Sequence, residues 1–182
     1  MKSICVYCSS SDALPDIYYT EAARLGKLLA GAGYRLIYGG GSIGLMGVLG
    51  QTTQKHNGKI TGIIPKHLAK KGIMYEHAEE MIETHNLRDR KELMEQKAHA
   101  FIALPGGIGT LEEIAEIITL RQLHCHSKPI AIINTNNFYH DLLKHLNRCY
   151  KENFMHEGDR QLYYVANNSQ EALTYISERI ER

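Results

Sequence analysis

The chain has 182 residues, of which 43% are hydrophobic and 23% charged, and its formal net charge is +1, a composition typical of one compact globular domain. No basic block stands out, which argues against a nucleic-acid polymer as a partner. The apolar run near the N-terminus is too short for a signal peptide, and no segment reaches the roughly 18–20 apolar residues of a membrane span, so we expect a cytoplasmic protein without a membrane partner.

Two of the four cysteines, Cys5 and Cys8, form a C-x-x-C pair, which in other settings is redox-active or half of a zinc site. Here the pair falls in an apolar first strand, where residues three apart point to opposite faces. No second C-x-x-C completes a metal site, and the run 124–126, His-Cys-His, is too tight for one tetrahedral site. We therefore interpret Cys5 and Cys8 as buried structural thiols and expect no metal.

The apolar pattern alternates between short runs and helical stretches, which indicates βαβ units. In the first half, residues 69–83 are polar and irregular up to their last few positions. The elements predicted there are a strand at residues 4–7, a helix at 16–32, a strand at 36–38, a helix at about 45–56, a strand at 59–64 and a short strand near 81–84.

The second half continues the alternation. Its predicted elements are a helix at 86–98, a strand at 100–104, a helix at 110–123, a strand at 129–133, a helix at 138–150, a strand at 162–165 and a helix at 169–180 that residues 167–169 can cap. Strands this apolar, with helices between them, belong in a mostly parallel sheet covered by helices on both faces. The predicted fold class is α/β, a single Rossmann-like domain spanning residues 1–182.

Two glycine-rich turns, residues 39–44 and 106–109, each follow a predicted strand and lead into a helix. In such sheets ligands bind beyond the carboxyl ends of the strands. A helix start there offers free N–H groups and the positive end of the helix dipole, which favour an anion. Thr110 can bind a phosphate oxygen or cap its helix. Either turn alone could be a tight strand-to-helix connection, but two such turns at one edge of the sheet favour a ligand site. Neither turn matches a dinucleotide or P-loop pattern, so we expect the ligand to be a mononucleotide.

Charged residues surround the second turn. A carboxylate at a helix start can simply stabilise the helix dipole, by roughly 0.3–1 kcal/mol, which suits Glu112. A glutamate beside a bound phosphate needs another reason, such as binding ribose hydroxyls or activating water. Upstream, Arg90 shares a helix face with apolar residues, so we expect it to pair with a carboxylate or phosphate. Arg88 and Asp89 fit a solvated face. The residues alone do not choose between Glu112 and Glu113.

Residues 105–113 match the P-G-G-x-G-T-x-x-E motif of the LOG (Lonely Guy) family, the cytokinin riboside 5'-monophosphate phosphoribohydrolases. Residues 4–8, 38–47 and 90–94 resemble other segments of this family in the same order. The resemblance covers nearly the whole chain. It implies hydrolysis of the N-glycosidic bond of purine nucleoside 5'-monophosphates, AMP or its N6-substituted relatives, by a homodimer. No lysine is placed for a pyridoxal group, so we expect no cofactor and no lysine decarboxylation.

Carried over position by position, the resemblance makes Arg90 and Glu113 the catalytic pair. Gly107, Gly109 and Thr110 would hold the 5'-phosphate. The other residues that the resemblance places at the substrate are Ser10, Gly40, Gly41, Gly44, Met46, Lys91, Met94, Gly106, Ile108 and Thr119.

The chain departs from the family pattern at Ser9, where relatives usually have glycine, and at His67, about where many carry a substrate-contacting glutamate. The stretch 69–85 is also longer. These changes bear on substrate preference more than on reaction type. Two alternatives stay open, a non-catalytic carrier of the molybdenum cofactor and a protein that binds AMP without turnover. Neither would need the Arg90 and Glu113 pair.

Overall fold

A computed structural model describes residues 1–180, and the predicted domain limit at residue 182 lies outside them. Within the described residues there are seven strands and six α-helices. The strands are β1 (Ser3–Tyr7), β2 (Arg35–Tyr38), β3 (Ile60–Pro65), β4 (Glu80–Thr84), β5 (Ala100–Ala103), β6 (Ile130–Ile133) and β7 (Tyr164–Ala166). The helices are α1 (Asp16–Gly31), α2 (Gly44–Lys55), α3 (Leu87–Lys97), α4 (Ile108–Gln122), α5 (His140–Lys151) and α6 (Ser169–Ile180). None of these helices is long and apolar enough to cross a membrane.

The seven strands form one sheet in the order β4-β3-β2-β1-β5-β6-β7, and every pair of neighbours is parallel. The chain runs outward from β1 to β4, then returns to β5 on the other side of β1 and runs outward again to β7. The strand order therefore reverses between β1 and β5. In open α/β sheets this switch point, at the carboxyl ends of the strands, is where ligands bind.

Helices cover both faces of the sheet, which confirms the predicted Rossmann-like α/β fold. The side chains of β1 alternate between the two faces, as a strand requires. Ile4 and Val6 pack in the core beneath α1, α2 and α6. Cys5 and Tyr7 pack in the core beneath α3, α4 and α5. Because both faces are buried at the centre of the sheet, β5 and β6 are apolar throughout, whereas the edge strand β4 carries exposed glutamates.

Cys5 and Cys8 lie in opposite cores, as their spacing predicts. Burial raises the pKa of both thiols well above the ordinary range, so both stay protonated. Among residues 1–180, no three His, Cys, Asp or Glu side chains come together in a way that could hold a metal ion.

The predicted element bounds agree with the structure to within a few residues, and each larger difference has a local cause. Helix α4 begins two residues early because the extended residue Gly107 is its N-cap. Helix α5 begins two residues late because Thr135–Asn137 forms a short 3₁₀ helix first. A second 3₁₀ helix, Glu157–Gln161, delays β7. The predicted cap of α6 is confirmed, since Asn168 Oδ1 accepts the N–H of Glu171 at 3.0 Å.

Candidate active site

A cavity of about 500 Å³ opens at the carboxyl ends of the strands, around the switch point between β1 and β5. Its volume is within the range of about 300–1,000 Å³ found for small-molecule sites. Residues from the ends of β1, β2, β3 and β5 and from α2, α3 and α4 line it. The predicted site residues among them are Ser10, Gly41, Met46, Arg90, Gly107, Gly109, Thr110 and Glu113.

A buried ion pair closes the inner end of this cavity. Helix α3 carries Arg90 just before β5, and α4 carries Glu113 just after it. Arg90 Nη1 is 2.9 Å from Glu113 Oε1, and the two side chains are only 11% and 8% exposed. Arg90 Nε also donates to the carbonyl oxygen of Ile63 at 3.0 Å. Arg90 is therefore paired as its helix face predicts, and Glu113, rather than the 55% exposed Glu112, faces the cavity.

The environment of Glu113 disfavours its charged form. Burial raises the pKa of Glu113 above its ordinary value, and although the guanidinium of Arg90 lowers it, burial prevails. A carboxylate that is poorly solvated interacts strongly with any positive charge that develops nearby, because the local dielectric constant is low. The pair thus places an undersolvated negative charge at the wall of a ligand-sized cavity.

The start of α4 forms one end of the cavity. The first N–H groups of a helix have no partners within the helix, and here no side chain caps them. Gly107 and Gly109 are exposed there. Thr110 is buried, and its side chain packs so closely on Gly106 that a Cβ atom could not be accommodated at residue 106. Thr110 does not cap the helix, since no side-chain cap is formed at this helix start, and its role in binding a phosphate oxygen stays a prediction.

The first glycine turn differs, because two of the first N–H groups of α2 are already occupied. The N–H groups of Leu45 and Met46 donate to the carbonyl oxygen of Ser9 at 3.1 and 3.3 Å. Gly44 has a φ of +64°, and a Cβ atom there would collide with the carbonyl of Ser11. The loop after β1 thus sits on the start of α2. The expectation that both turns present free helix N–H groups is wrong for these two amides.

A segment between β3 and β4, residues 66–79, crosses the first turn and supplies part of the cavity wall. Ser42 N–H donates to the Ile73 carbonyl at 2.8 Å, and Tyr75 N–H donates to the Gly40 carbonyl at 2.8 Å. This pairing brings Leu68 and Ile73 to the cavity beside Ile64 and Pro65. Sequence reasoning missed this apolar wall, because it rests on contacts between residues about thirty positions apart in a polar, irregular stretch. His67 is exposed beside it.

Several predicted site residues do not line the cavity, and their roles at a substrate stay predictions. Lys91 forms ion pairs with Glu112 and, at 2.9 Å, with Glu116. Met94 is fully buried in the core beneath α3 and α4. The hydroxyl of Thr119 donates to a backbone carbonyl of its own helix at 2.8 Å. The remaining ones are Gly40, Gly44, Gly106 and Ile108, of which Ile108 is 81% exposed.

The sheet is parallel and Rossmann-like, and its switch point holds a buried Arg–Glu pair and an uncapped helix start. These features define an α/β protein with a site suited to a small phosphorylated ligand.

The family model described as "Possible lysine decarboxylase" matches residues 46–176. The cytokinin riboside 5'-monophosphate phosphoribohydrolase LOG2 of Arabidopsis thaliana is 38% identical over 181 residues, which cover 100% of this chain and 85% of LOG2. The enzyme LOG of Oryza sativa subsp. japonica, which has the same descriptive name, is 37% identical, with 98% and 74% covered. The chain belongs to the LOG family.

Solved structures with a similar fold are more distant in sequence. The molybdenum cofactor binding protein from Rippkaea orientalis has a TM-score of 0.75 at 22% identity, covering 99% of this chain and 98% of that one. The molybdenum cofactor carrier protein of Chlamydomonas reinhardtii has a TM-score of 0.75 at 20% identity, with both chains fully covered. At these identities the likeness establishes the shared fold alone.

Proposed function

We propose that this protein hydrolyses the N-glycosidic bond of purine nucleoside 5'-monophosphates, releasing the free base and ribose 5-phosphate. One observation carries the proposal: the buried Arg90–Glu113 pair and the uncapped start of α4 open into the same cavity. The relatives LOG2 and LOG, both named as phosphoribohydrolases, support the same reaction.

The polarity of the cavity gives the orientation of the substrate. A 5'-phosphate fits the start of α4, where helix N–H groups and the positive end of the dipole favour an anion. The base fits the apolar wall of Met46, Leu68 and Ile73. The ribose then spans the two and lies next to Glu113. This orientation brings the carboxylate to the sugar, where the bond is broken.

The reaction needs a negative charge at that point. When the bond between the ribose and the base breaks, the base takes the bonding electrons, and positive charge develops on the ribose ring. The Glu113 carboxylate stabilises this charge. Water supplies a hydroxyl to the ribose carbon, and a proton ends on the base. Arg90 orients Glu113 and is not the acid, because a guanidinium stays protonated in proteins.

We also propose that the protein works as a cytoplasmic homodimer. The resemblance to the family supports the dimer, and the strongly exposed Ile108 beside the cavity mouth is a side chain that a second copy would cover. The free, exposed thiol of Cys125 fits a reducing compartment.

The test is to incubate purified protein with AMP and to separate the products by chromatography. We expect adenine and ribose 5-phosphate, and loss of both with Arg90→Ala or Glu113→Ala. If AMP stays intact, N6-isopentenyl AMP is tested next. If both nucleotides bind but stay intact, the protein is a binding module, and the proposal fails.

A further inference from the structure

We propose that Gly39 is a positioning residue for the hydrolysis. Because residue 39 has no side chain, the Arg90 guanidinium has room to reach Glu113. This inference rests on the proposed function of the same site. Gly39 acts only through Arg90 and contacts no reacting atom in this account.

The geometry at the end of β2 leaves no room for both groups. Gly39 follows β2 directly and is buried. A Cβ atom at residue 39 would fall well inside 3.0 Å of Arg90 Nη2, closer than real Cβ atoms approach their neighbours. The sulfur and the terminal methyl carbon of Met46 lie 3.2 Å from the same point. A methyl group at residue 39 therefore displaces the guanidinium.

Displacing Nη2 disturbs the whole guanidinium group. The group is planar and rigid, and its other nitrogens are already engaged. Nη1 pairs with Glu113 at 2.9 Å, and Nε donates to the Ile63 carbonyl at 3.0 Å. Moving the guanidinium away from residue 39 strains the contacts that hold Nη1 and Nε. We expect the ion pair with Glu113 to break, and this ion pair is what orients the carboxylate.

Backbone conformation does not explain the glycine at this position. The glycines with positive φ among the described residues are Gly33, Gly40, Gly44 and Gly72. Gly39 is not one of them, so an alanine there has an ordinary backbone conformation. The requirement for glycine is thus steric, and the group that imposes it is the side chain of Arg90.

The experiment is a double-mutant cycle of Gly39→Ala and Arg90→Ala. In the presence of Arg90, we expect Gly39→Ala to lower kcat about a hundredfold, the scale of loss caused by a misplacement of about 1 Å, while AMP still binds. Because Arg90→Ala is expected to have no turnover, the second arm of the cycle is read as the free energy of unfolding. Gly39→Ala should lower this free energy when Arg90 is present and much less in the Arg90→Ala background, where only Met46 has to adjust. Gly31→Ala, at an exposed glycine with no neighbour within 4 Å, is the control and should keep wild-type turnover.

Two further readouts separate positioning from general structural damage. Arg90 lowers the pKa of Glu113, so displacing it should move the acid limb of kcat/KM to higher pH in Gly39→Ala. A crystal structure of Gly39→Ala should show Arg90 Nη1 farther from Glu113 than the limit of about 4 Å for an ion pair.

The outcomes are distinct. Wild-type kcat in Gly39→Ala, or an equal loss of unfolding free energy with and without Arg90, would overturn the positioning role. The crystal structure tests it without turnover: an unchanged Arg90–Glu113 distance overturns the inference even if the protein hydrolyses AMP. If the wild-type protein has no activity, the proposed function fails, and the distance still decides whether Gly39 seats Arg90.

Discussion

The two glycine-rich turns, residues 39–44 and 106–109, look alike in sequence but differ in what lies against the helices they begin. Each ends a parallel strand at the same edge of the sheet. At the first turn, the Ser9 carbonyl accepts two of the first N–H groups of α2. At the second, α4 starts without a side-chain cap and opens into the cavity. A glycine-rich turn can offer its helix N–H groups to a ligand only if no other part of the chain occupies those amides.

This difference divides the work between the turns. The first turn lines the cavity with Gly41, but its other contacts position neighbouring groups: Gly39 leaves room for Arg90, and Ser42 holds the segment 66–79 that forms the apolar wall. The second turn and its helix present Thr110 and Glu113 to the cavity. Variants at the second turn should therefore change catalysis and substrate binding, whereas variants at the first should act through the positions of other residues.

The largest expected effect is that of Glu113→Gln. It removes the negative charge but keeps the shape of the side chain, so turnover of AMP should fall about a thousandfold, within the range for a charged catalytic group, while AMP still binds. Steady-state kinetics measure the turnover of AMP, and calorimetry measures its binding. Glu112→Gln, whose half-exposed side chain pairs with Lys91 and does not line the cavity, is the matched control and should keep its activity. Full turnover in Glu113→Gln would remove this residue from the mechanism.

The pH dependence is the next largest effect. Burial raises the pKa of Glu113 above its ordinary value of 4.5, and the reaction needs the ionised carboxylate. The value of kcat/KM should therefore fall as the pH drops through this raised pKa, at a higher pH than an ordinary glutamate would give. The first turn carries no ionisable side chain, so it should add no further limb to the pH profile of kcat/KM. An acid limb at or below the ordinary value would contradict the burial of the working carboxylate.

The same shift has a consequence for stability. Because the folded-state pKa of Glu113 is raised, the folded protein disfavours its ionisation relative to the unfolded chain. The contribution of Glu113 to the free energy of unfolding is therefore greatest below the ordinary pKa and declines as the pH rises through the raised one.

Thr110→Val sharpens the assignment of the phosphate end. The variant keeps the shape of the side chain but removes the hydroxyl, and the loss of one hydrogen bond to a charged group should raise the KM for AMP about tenfold. Thr20→Val is the control, since the Thr20 hydroxyl bonds only to a backbone carbonyl of α1. An unchanged KM in Thr110→Val would move the phosphate away from the second turn.

The smallest effect is expected at the first turn, with Ser42→Ala. The hydroxyl of Ser42 donates to the carbonyls of Gly72 and Ile73 at 2.9 and 3.1 Å. Its loss should lower the free energy of unfolding by about 0.5 to 1 kcal/mol, measured by denaturant titration, with little change in kcat. If Ser42→Ala lost as much turnover as Glu113→Gln, the proposal that the first turn acts only through the positions of other residues would be contradicted.

Local pattern was sufficient for the fold. The apolar runs of β1 and β5 and the periodicity of α4 predicted a parallel sheet covered on both faces, because the residues of one element report directly on its own burial. The same pattern placed Arg90 on the inner face of α3. Family resemblance, rather than spacing, then selected Glu113.

The contacts that complete the site were not predictable in this way, because each joins separate parts of the chain. The bond from Arg90 to the Ile63 carbonyl spans 27 residues, and the bond from Ser42 to Gly72 spans 30. Hydrophobic periodicity carries no signal for a backbone carbonyl or for the empty space at Gly39. Only the packed structure brings these groups together.

The central position of β1 bears on how the protein is made. Strand β1 pairs with β2 on one side and with β5 on the other, so during synthesis one edge of this apolar strand stays open until β5 has left the ribosome. Arg90 emerges before β5 and Glu113 after it. The nascent chain therefore carries an unpaired hydrophobic edge for most of its synthesis, which is a hazard for aggregation. Because Glu113 follows β5 in the chain, the ion pair can form only after β5 has been synthesised.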